Sequence, residues 1–290
     1  MANIKDLKVR INSTKSTLKI TSAMKLVSAA KLSKAQSKIQ GFKPYSSELD
    51  STIRVASALV ENYSHKYLKT SSNKTVGILV ISSEKGLCGG YNSSLYKKVK
   101  RFIAENPEYN FEFYFLGRKV KELMKRDGIK PTLEYHYEGS SPSFKDAQNV
   151  AGELSKRFTD GKIGKLFVTN NTFVSAIEFN SEVSQVLPMT ISDSEKEELE
   201  KQFPVAFKYE PSAEEILDNL IPDVLVSTIF EAFLDAVAAE HATRMTAMDN
   251  ATTNSKDMIR NLTLTMNKLR QAAITTELTE IVSGAESLNA

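Results

Sequence analysis

Residues 82–93 read SSEKGLCGGYNS, between the apolar run TVGILVI (75–81) and the helix-like YNSSLYKKVKRFIAEN. A glycine-rich turn between a strand and a helix is where an α/β protein can cradle a phosphate on backbone N–H groups. The details point elsewhere. A P-loop needs G-x-x-x-x-G-K-[ST], with the lysine on the terminal phosphates and the hydroxyl on Mg²⁺. Here Tyr91 and Asn92 follow Gly89 and Gly90. A dinucleotide turn needs G-x-G-x-x-G, whereas Gly86, Gly89 and Gly90 are spaced as G-x-x-G-G. A tight structural turn fits this spacing better than a phosphate site. Cys88 could act as a nucleophile only with a base from His65, His136 or His241, and none of these sits in a protease-like context. A small, partly buried thiol is the simpler reading. His241, with Met245 four residues on, lacks a second ligand on its helical face.

The elements that would carry this turn follow from hydrophobic periodicity. From 75 to 190, short apolar runs (TVGILVI, FEFYFLG, LEYHY, KLFVTN) alternate with amphipathic stretches at 91–105, 118–128 and 144–159. This alternation predicts βαβ units and a largely parallel sheet. The stretch VSAIEFNSEVSQVLP (174–188) reads as a further, edge strand, and the acidic DSEKEELE (193–200) as a surface linker or loop.

Both flanks are helical. Ile4, Leu7, Ile11, Thr14, Leu18, Thr21, Lys25, Ser28, Leu32, Ala35, Ile39 and Phe42 step by three and four, the a/d spacing of a coiled coil. Ile20, Met24 and Val27 form a second stripe beside this polar seam, so the helix is expected to pack on more than one surface. Pro44 is expected to kink it. Near the other end, Ser212 and Glu215 have capping-box spacing after Pro211, and Pro222 is expected to restart the helix. Asp223 to Ser283 then runs 61 residues without proline or glycine, enough for a rod on the order of 90 Å. Met248, Thr252, Ser255, Ile259, Leu262, Met266, Leu269 and Ala273 make its seam, and Ile274, Leu278, Ile281, Ala285 and Leu288 a shifted one. The natural partner of this rod is the N-terminal helix. The fold expected is therefore α/β: a long antiparallel coiled coil of N- and C-terminal helices with an inserted Rossmann-like domain. Its parts are an N-terminal shaft helix (1–60), a globular domain (70–200) and a C-terminal shaft helix (210–288).

Composition narrows the partners. The net charge of +3 conceals nine lysines and Arg10 against Asp6 alone in residues 1–43. Such a segment is either a solvated helix face or a surface for an acidic partner. It lacks the aromatic interleaving or recognisable module of a nucleic-acid-binding protein. A single cysteine excludes an internal disulfide, the three histidines have no metal-ligand spacing, and no apolar run approaches the length of a membrane span. No cofactor or metal is expected.

Three blocks are more specific: IKDLKVRINSTKSTLKITSAMKLVSAAKLSKAQ (4–36), SSEKGLCGGYNSSL (82–95) and EHATRMTAMDNATTNSKDMIRNLTLTMNKLRQAAITTELTEIVSGAESL (240–288). In order and spacing they resemble the gamma subunit family of the F-type ATP synthase, the central rotor shaft, as does the lead-in YEPSAEEILDNLIP (209–222). Glu84 and Lys85 stand where the family usually has Asp-Arg, and Met266 where Tyr is common. The resemblance implies a non-catalytic rotor whose paired terminal helices enter a hexamer of alpha and beta subunits. Its globular domain, with the epsilon subunit, sits on the membrane c-ring. Ion-driven rotation then drives ATP synthesis at the beta subunits, or runs in reverse during hydrolysis. By the same resemblance Met24, Lys25, Arg270 and Gln271 are contact residues near the beta lever and catch. Ile274, Leu278, Ile281 and Val282 face an apolar sleeve. The turn Glu84, Lys85, Gly86, Leu87, Cys88 and Gly89 passes the beta lever. A block beginning by Ile4 leaves no room for an uncleaved transit peptide and favours a bacterial protein, so the expected location is the cytoplasmic face of a bacterial plasma membrane, held peripherally through the complex without direct insertion. The competing readings are a small nucleotide-binding enzyme with helical extensions and a nucleic-acid-binding scaffold.

Overall fold

The computed structural model describes residues 4–60, 63–137, 139, 141–190, 193–202 and 209–289, with the side chains of 193–195, 197, 200 and 286–289 left aside. The element order is α1 (Ile4–Leu59), β1 (Thr75–Ile81), α2 (Tyr91–Glu105), β2 (Asn110–Leu116), α3 (Arg118–Arg126), β3 (Leu133–Tyr135), α4 (Phe144–Thr159), β4 (Lys165–Phe173), β5 (Phe179–Leu187), α5 (Asp193–Gln202) and α6 (Ala213–Asn289). The chain divides into two compact units, one of residues 1–28 with 244–290, the other of residues 29–243.

In the larger unit the sheet order is β3-β2-β1-β4-β5. The first four strands are parallel and β5 runs antiparallel to β4, so the sheet is Rossmann-like with an antiparallel edge. Central strand β1 is buried on both faces because alternate side chains supply different cores. Val76, Ile78 and Val80 join Leu95 and Val99 of α2 and Val120 and Met124 of α3. Leu79 and Ile81 join Leu154 and Phe158 of α4 and Ile229 and Phe233 of α6. Each fully buried side chain of this size contributes about 1.5–3 kcal/mol. Helix α4 starts at a capping box in which Ser143 Oγ accepts from Asp146 N–H and the Asp146 carboxylate accepts from Ser143 N–H. Arg157 on its last turn holds Glu112 at 2.6 Å. A further cluster joins α1 to α6 through Ile53, Ala56, Leu217, Ile221 and Val224.

The smaller unit is an antiparallel helix pair. Thr14 lies against Met258, Thr21 against Thr252 and Lys25 against Asp249. Leu7, Ile11, Thr21 and Ser28 are buried along the seam, as are Met248, Thr252 and Ser255. A seam this rich in hydroxyls holds because most of them bond within their own helix. Thr252 Oγ1 donates to the Met248 carbonyl at 2.7 Å and Ser255 Oγ to Ala251 at 2.7 Å. Back-bonding of this kind leaves the small apolar side of the residue for the partner helix.

Four local expectations change. DSEKEELE lies in helix α5 rather than a loop; its charges hid a helix with little apolar period. Pro222 sits inside the continuous α6 and does not restart it. Packing of Ile221 and Val224 at zero to 4% exposure outweighs the single donor that Pro222 lacks. The expected strand 174–188 is shorter, because Val174 and Ser175 N–H both bond to the Glu178 carbonyl and close a turn before β5. Finally, β3 comprises only three of the five residues of LEYHY. At Ser212, the expected N-cap, the hydroxyl accepts from Glu215 N–H at 3.2 Å.

Candidate functional site

The expected contact residues fall into three places. The first is the end of α6. The register of the helix pair brings Ile4 level with the turn around Leu269, and every residue from 270 to 285 is exposed. Arg270 and Gln271 open this segment. Ile274, Leu278, Ile281 and Val282 follow on one face at steps of four and three, with Ile281 68% and Val282 61% exposed. Four large apolar side chains on an uncovered helix are a surface awaiting a partner. Thr275, Thr276 and Thr279 again bond to carbonyls four residues back.

The second place is the outer face of α1. Ile20 and Val27 are exposed, with half-buried Met24 between them. Lys25 Nζ reaches Asp249 Oδ1 at 2.6 Å, both side chains remaining largely in solvent. Such a surface ion pair is worth about 0–1 kcal/mol, so it leaves the ammonium free to exchange partners. Sequence reasoning missed Asp249, although the antiparallel pairing of the two seams would have located it. Met24 and Lys25 are not brought together with Arg270 and Gln271. Twenty-one residues of α6 separate Asp249 from Arg270, about 30 Å of helix.

The third place is the glycine turn, which belongs to the larger unit. Leu87 takes a left-handed backbone (φ 63°) and is exposed, as is its side chain at 65%. A non-glycine residue held there costs about 1 kcal/mol or more, and the turn repays this with internal bonds. Asn92 Oδ1 accepts from Ser83 N–H at 3.3 Å, and Asn92 Nδ2 donates to Cys88 Sγ at 3.2 Å. Lys119 N–H caps the Ser83 carbonyl at 3.0 Å. Gly117 (φ 95°) lets the next turn pass so close that a Cβ there would lie 2.0 Å from the Ser82 carbonyl oxygen.

In open α/β sheets a ligand sits beyond the carboxyl ends of the strands where the strand order reverses, here next to β1 and β4. That position is taken by the chain itself. Cys88 and Tyr91 pack with Ala239 of α6 and with Phe173 and Phe179. The Tyr91 hydroxyl donates to the Ala236 carbonyl at 3.1 Å, and Asn171 Nδ2 donates to the Tyr91 carbonyl at 3.0 Å. Cys88, 2% exposed, is a packing thiol. Among the described residues, no cluster of His, Cys, Asp and Glu could hold a metal ion and no helix is long and apolar enough to cross a membrane.

A Rossmann-like domain whose ligand crevice is filled by a helix, and whose helix ends in an uncovered apolar stripe, defines a stalk protein built for partners. Comparison with known proteins gives the family. The family model described as ATP synthase matches residues 3–288, and the chain belongs to that family, the gamma subunits of the ATP synthase. A chain from the central stalk and c-ring structure of the Tetrahymena thermophila mitochondrial ATP synthase is similar at 26% identity, with a TM-score of 0.62 over 80% of this chain and 99% of that one. Two structures of the Euglena gracilis mitochondrial ATP synthase, one of its rotor and one of its OSCP, F1 and c-ring, share the fold at 16% identity. The first, in rotational state 1, has a TM-score of 0.64 over 93% of this chain and 98% of that one. The second, in rotational state 3, has 0.66 over 98% and 94%. Family and neighbours support a central-stalk role in ATP synthesis.

Proposed function

We propose that this chain is the non-catalytic rotor that couples ion-driven rotation of a c-ring to ATP synthesis or hydrolysis at beta subunits. The observation that carries the reading is the end of α6, where a helix that no described residue covers exposes Ile274, Leu278, Ile281 and Val282. Such a stripe fits an apolar sleeve formed by alpha and beta subunits. A rotor must touch each beta conformation differently, because a ligand shifts an equilibrium only by its differential affinity for the states. Two unlike helices with a polar seam and one-sided apolar stripes provide that asymmetry. Met24 and Lys25, Arg270 and Gln271, and the turn from Glu84 to Gly89 are the contact points assigned to the beta subunits. Residues 1–60 and 210–288 serve as the shaft and 70–200 as the globular domain, which meets the epsilon subunit and the c-ring. The location is peripheral, at the cytoplasmic face of a bacterial plasma membrane.

Co-expression with alpha and beta subunits tests this directly. One copy of the chain is expected to co-purify per three beta subunits, and the isolated chain is expected to show no ATP turnover. Turnover by the isolated chain, or preferential salt-dependent binding to DNA or RNA, would overturn the reading.

A further inference from the structure

The larger unit contains a cavity of about 500 Å³ that the rotor role leaves unused. Its walls are one face of α1, one face of α6 and the exit from β5. This volume falls within the range of small-molecule pockets. The cavity is polarised along its length. At one end Ser46 Oγ donates to Glu231 Oε2 at 2.9 Å, and Asp50 lies one helical turn along. Toward the other end the lining becomes Ile53, Ile221 and Val224, all buried. Ser57 Oγ, also on the wall, is buried without a hydrogen-bond partner among the described residues.

The charges at the polar end do not balance. Asp50 is held by Arg54 at 2.7 Å, but among the described residues Glu231 has only the neutral Ser46 hydroxyl as a partner. One turn further along α6, Asp235 is half-buried, and Glu231 and Glu182 add negative charge around it against the Lys43 ammonium and the Phe173 N–H. A half-buried carboxylate beside a second one, with no ion pair to it among the described residues, favours a cation at its side. On a wall otherwise lined largely by polar groups, Arg54 among them, Ile53, Ile221 and Val224 offer a strip for the apolar body of such a cation.

We propose that this cavity binds an amphipathic organic cation, its ammonium or guanidinium head against Glu231 and its apolar body along Ile53, Ile221 and Val224. The occupant would bridge α1, β5 and α6. Met189, on the cavity wall, supplies a local probe. With methyl-labelled full-length chain, titration with 4-phenylbutylammonium is expected to shift the Met189 methyl resonance saturably while that of Met248 stays still. Glu231→Gln keeps the shape and the acceptor for Ser46 but removes the charge, and should weaken binding about tenfold or more, as loss of one desolvated ion pair implies. Glu231→Asp should retain binding to within a few-fold. A null titration, equal binding of 4-phenylbutyrate, or unchanged affinity in Glu231→Gln would each overturn the proposal.

Discussion

Single residues in this protein are held in conformations that only one or two amino acids tolerate, and the costs differ sharply by position. Gly117→Ala would drive a Cβ to 2.0 Å from a backbone oxygen at a positive φ. Its expected cost is several kcal/mol, read as a large loss in Tm or of soluble protein. Gly161→Ala, also at positive φ but facing open space, should cost about 1 kcal/mol. Asp235 makes a different prediction. Burial first, then Glu231, pushes its carboxyl up from 3.8 to about 6, while Lys43 and the Phe173 N–H work against the rise. A carboxyl raised in the folded state binds its proton more tightly there than in the unfolded chain. Its contribution therefore favours folding below about pH 4 and is lost as pH rises to about 6. Asp235→Asn should remove that slope and, above pH 7, stabilise the protein on the order of 1 kcal/mol after solvent screening. Chemical denaturation at pH 4.5, 6 and 7.5 checks it.

Among the elements, the predictions concern how helices are tied to the sheet and to each other. Tyr91→Phe removes the hydroxyl that donates to Ala236, whose carbonyl stays bonded within α6, so the expected loss is that of one hydrogen bond, about 1 kcal/mol. Cys88→Ala should be as mild in stability and leave coupled ATP hydrolysis intact, since the thiol only packs. The line of the α1 seam was legible in the sequence, because a three-four step needs no tertiary knowledge: Leu7, Ile11, Thr21, Ser28, Leu32 and Ala35 are buried, while Ile4, Thr14, Leu18, Lys25, Ile39 and Phe42 are half-buried. The sheet was equally legible from its apolar runs. Long-range ties were not, because nothing local to Tyr91 reports that Ala236, 145 residues away, will accept its proton. Helix α5 was misread because its solvated charges carry no apolar period. Pro222 was misread because packing, invisible in a single window, carries the helix past a missing N–H. The charge on Glu231 was visible, but the cavity beside it was not.

For the whole molecule, the chain passes between its two units at only two points, residues 28–29 and 243–244, each inside a continuous helix. Any torque carried along the backbone must use those two helices. Ala29→Pro would remove a helical N–H and crowd the preceding turn. The expectation is a complex that still hydrolyses ATP but whose hydrolysis no longer drives ion pumping, measured in reconstituted vesicles. Met24→Lys and Arg270→Glu, at half-buried and exposed positions, should leave the thermal unfolding of the isolated chain unchanged while impairing assembly or coupling. A lowered Tm in the isolated chain would return those residues to a packing role.

The uncovered end of α6 also has a thermodynamic meaning. The exposed stretch of α6 from 270 to 285 is close to the length at which an isolated helix and coil are evenly matched in water. On the proposed reading, the helicity of this tip is largely lent by the sleeve that encloses it, and insertion is folding coupled to binding. Assembly should carry a negative heat-capacity change larger than rigid docking would give. Amide exchange over residues 274–285 should be fast in the free chain and slow in the complex, so that order at the tip reports whether the shaft is seated.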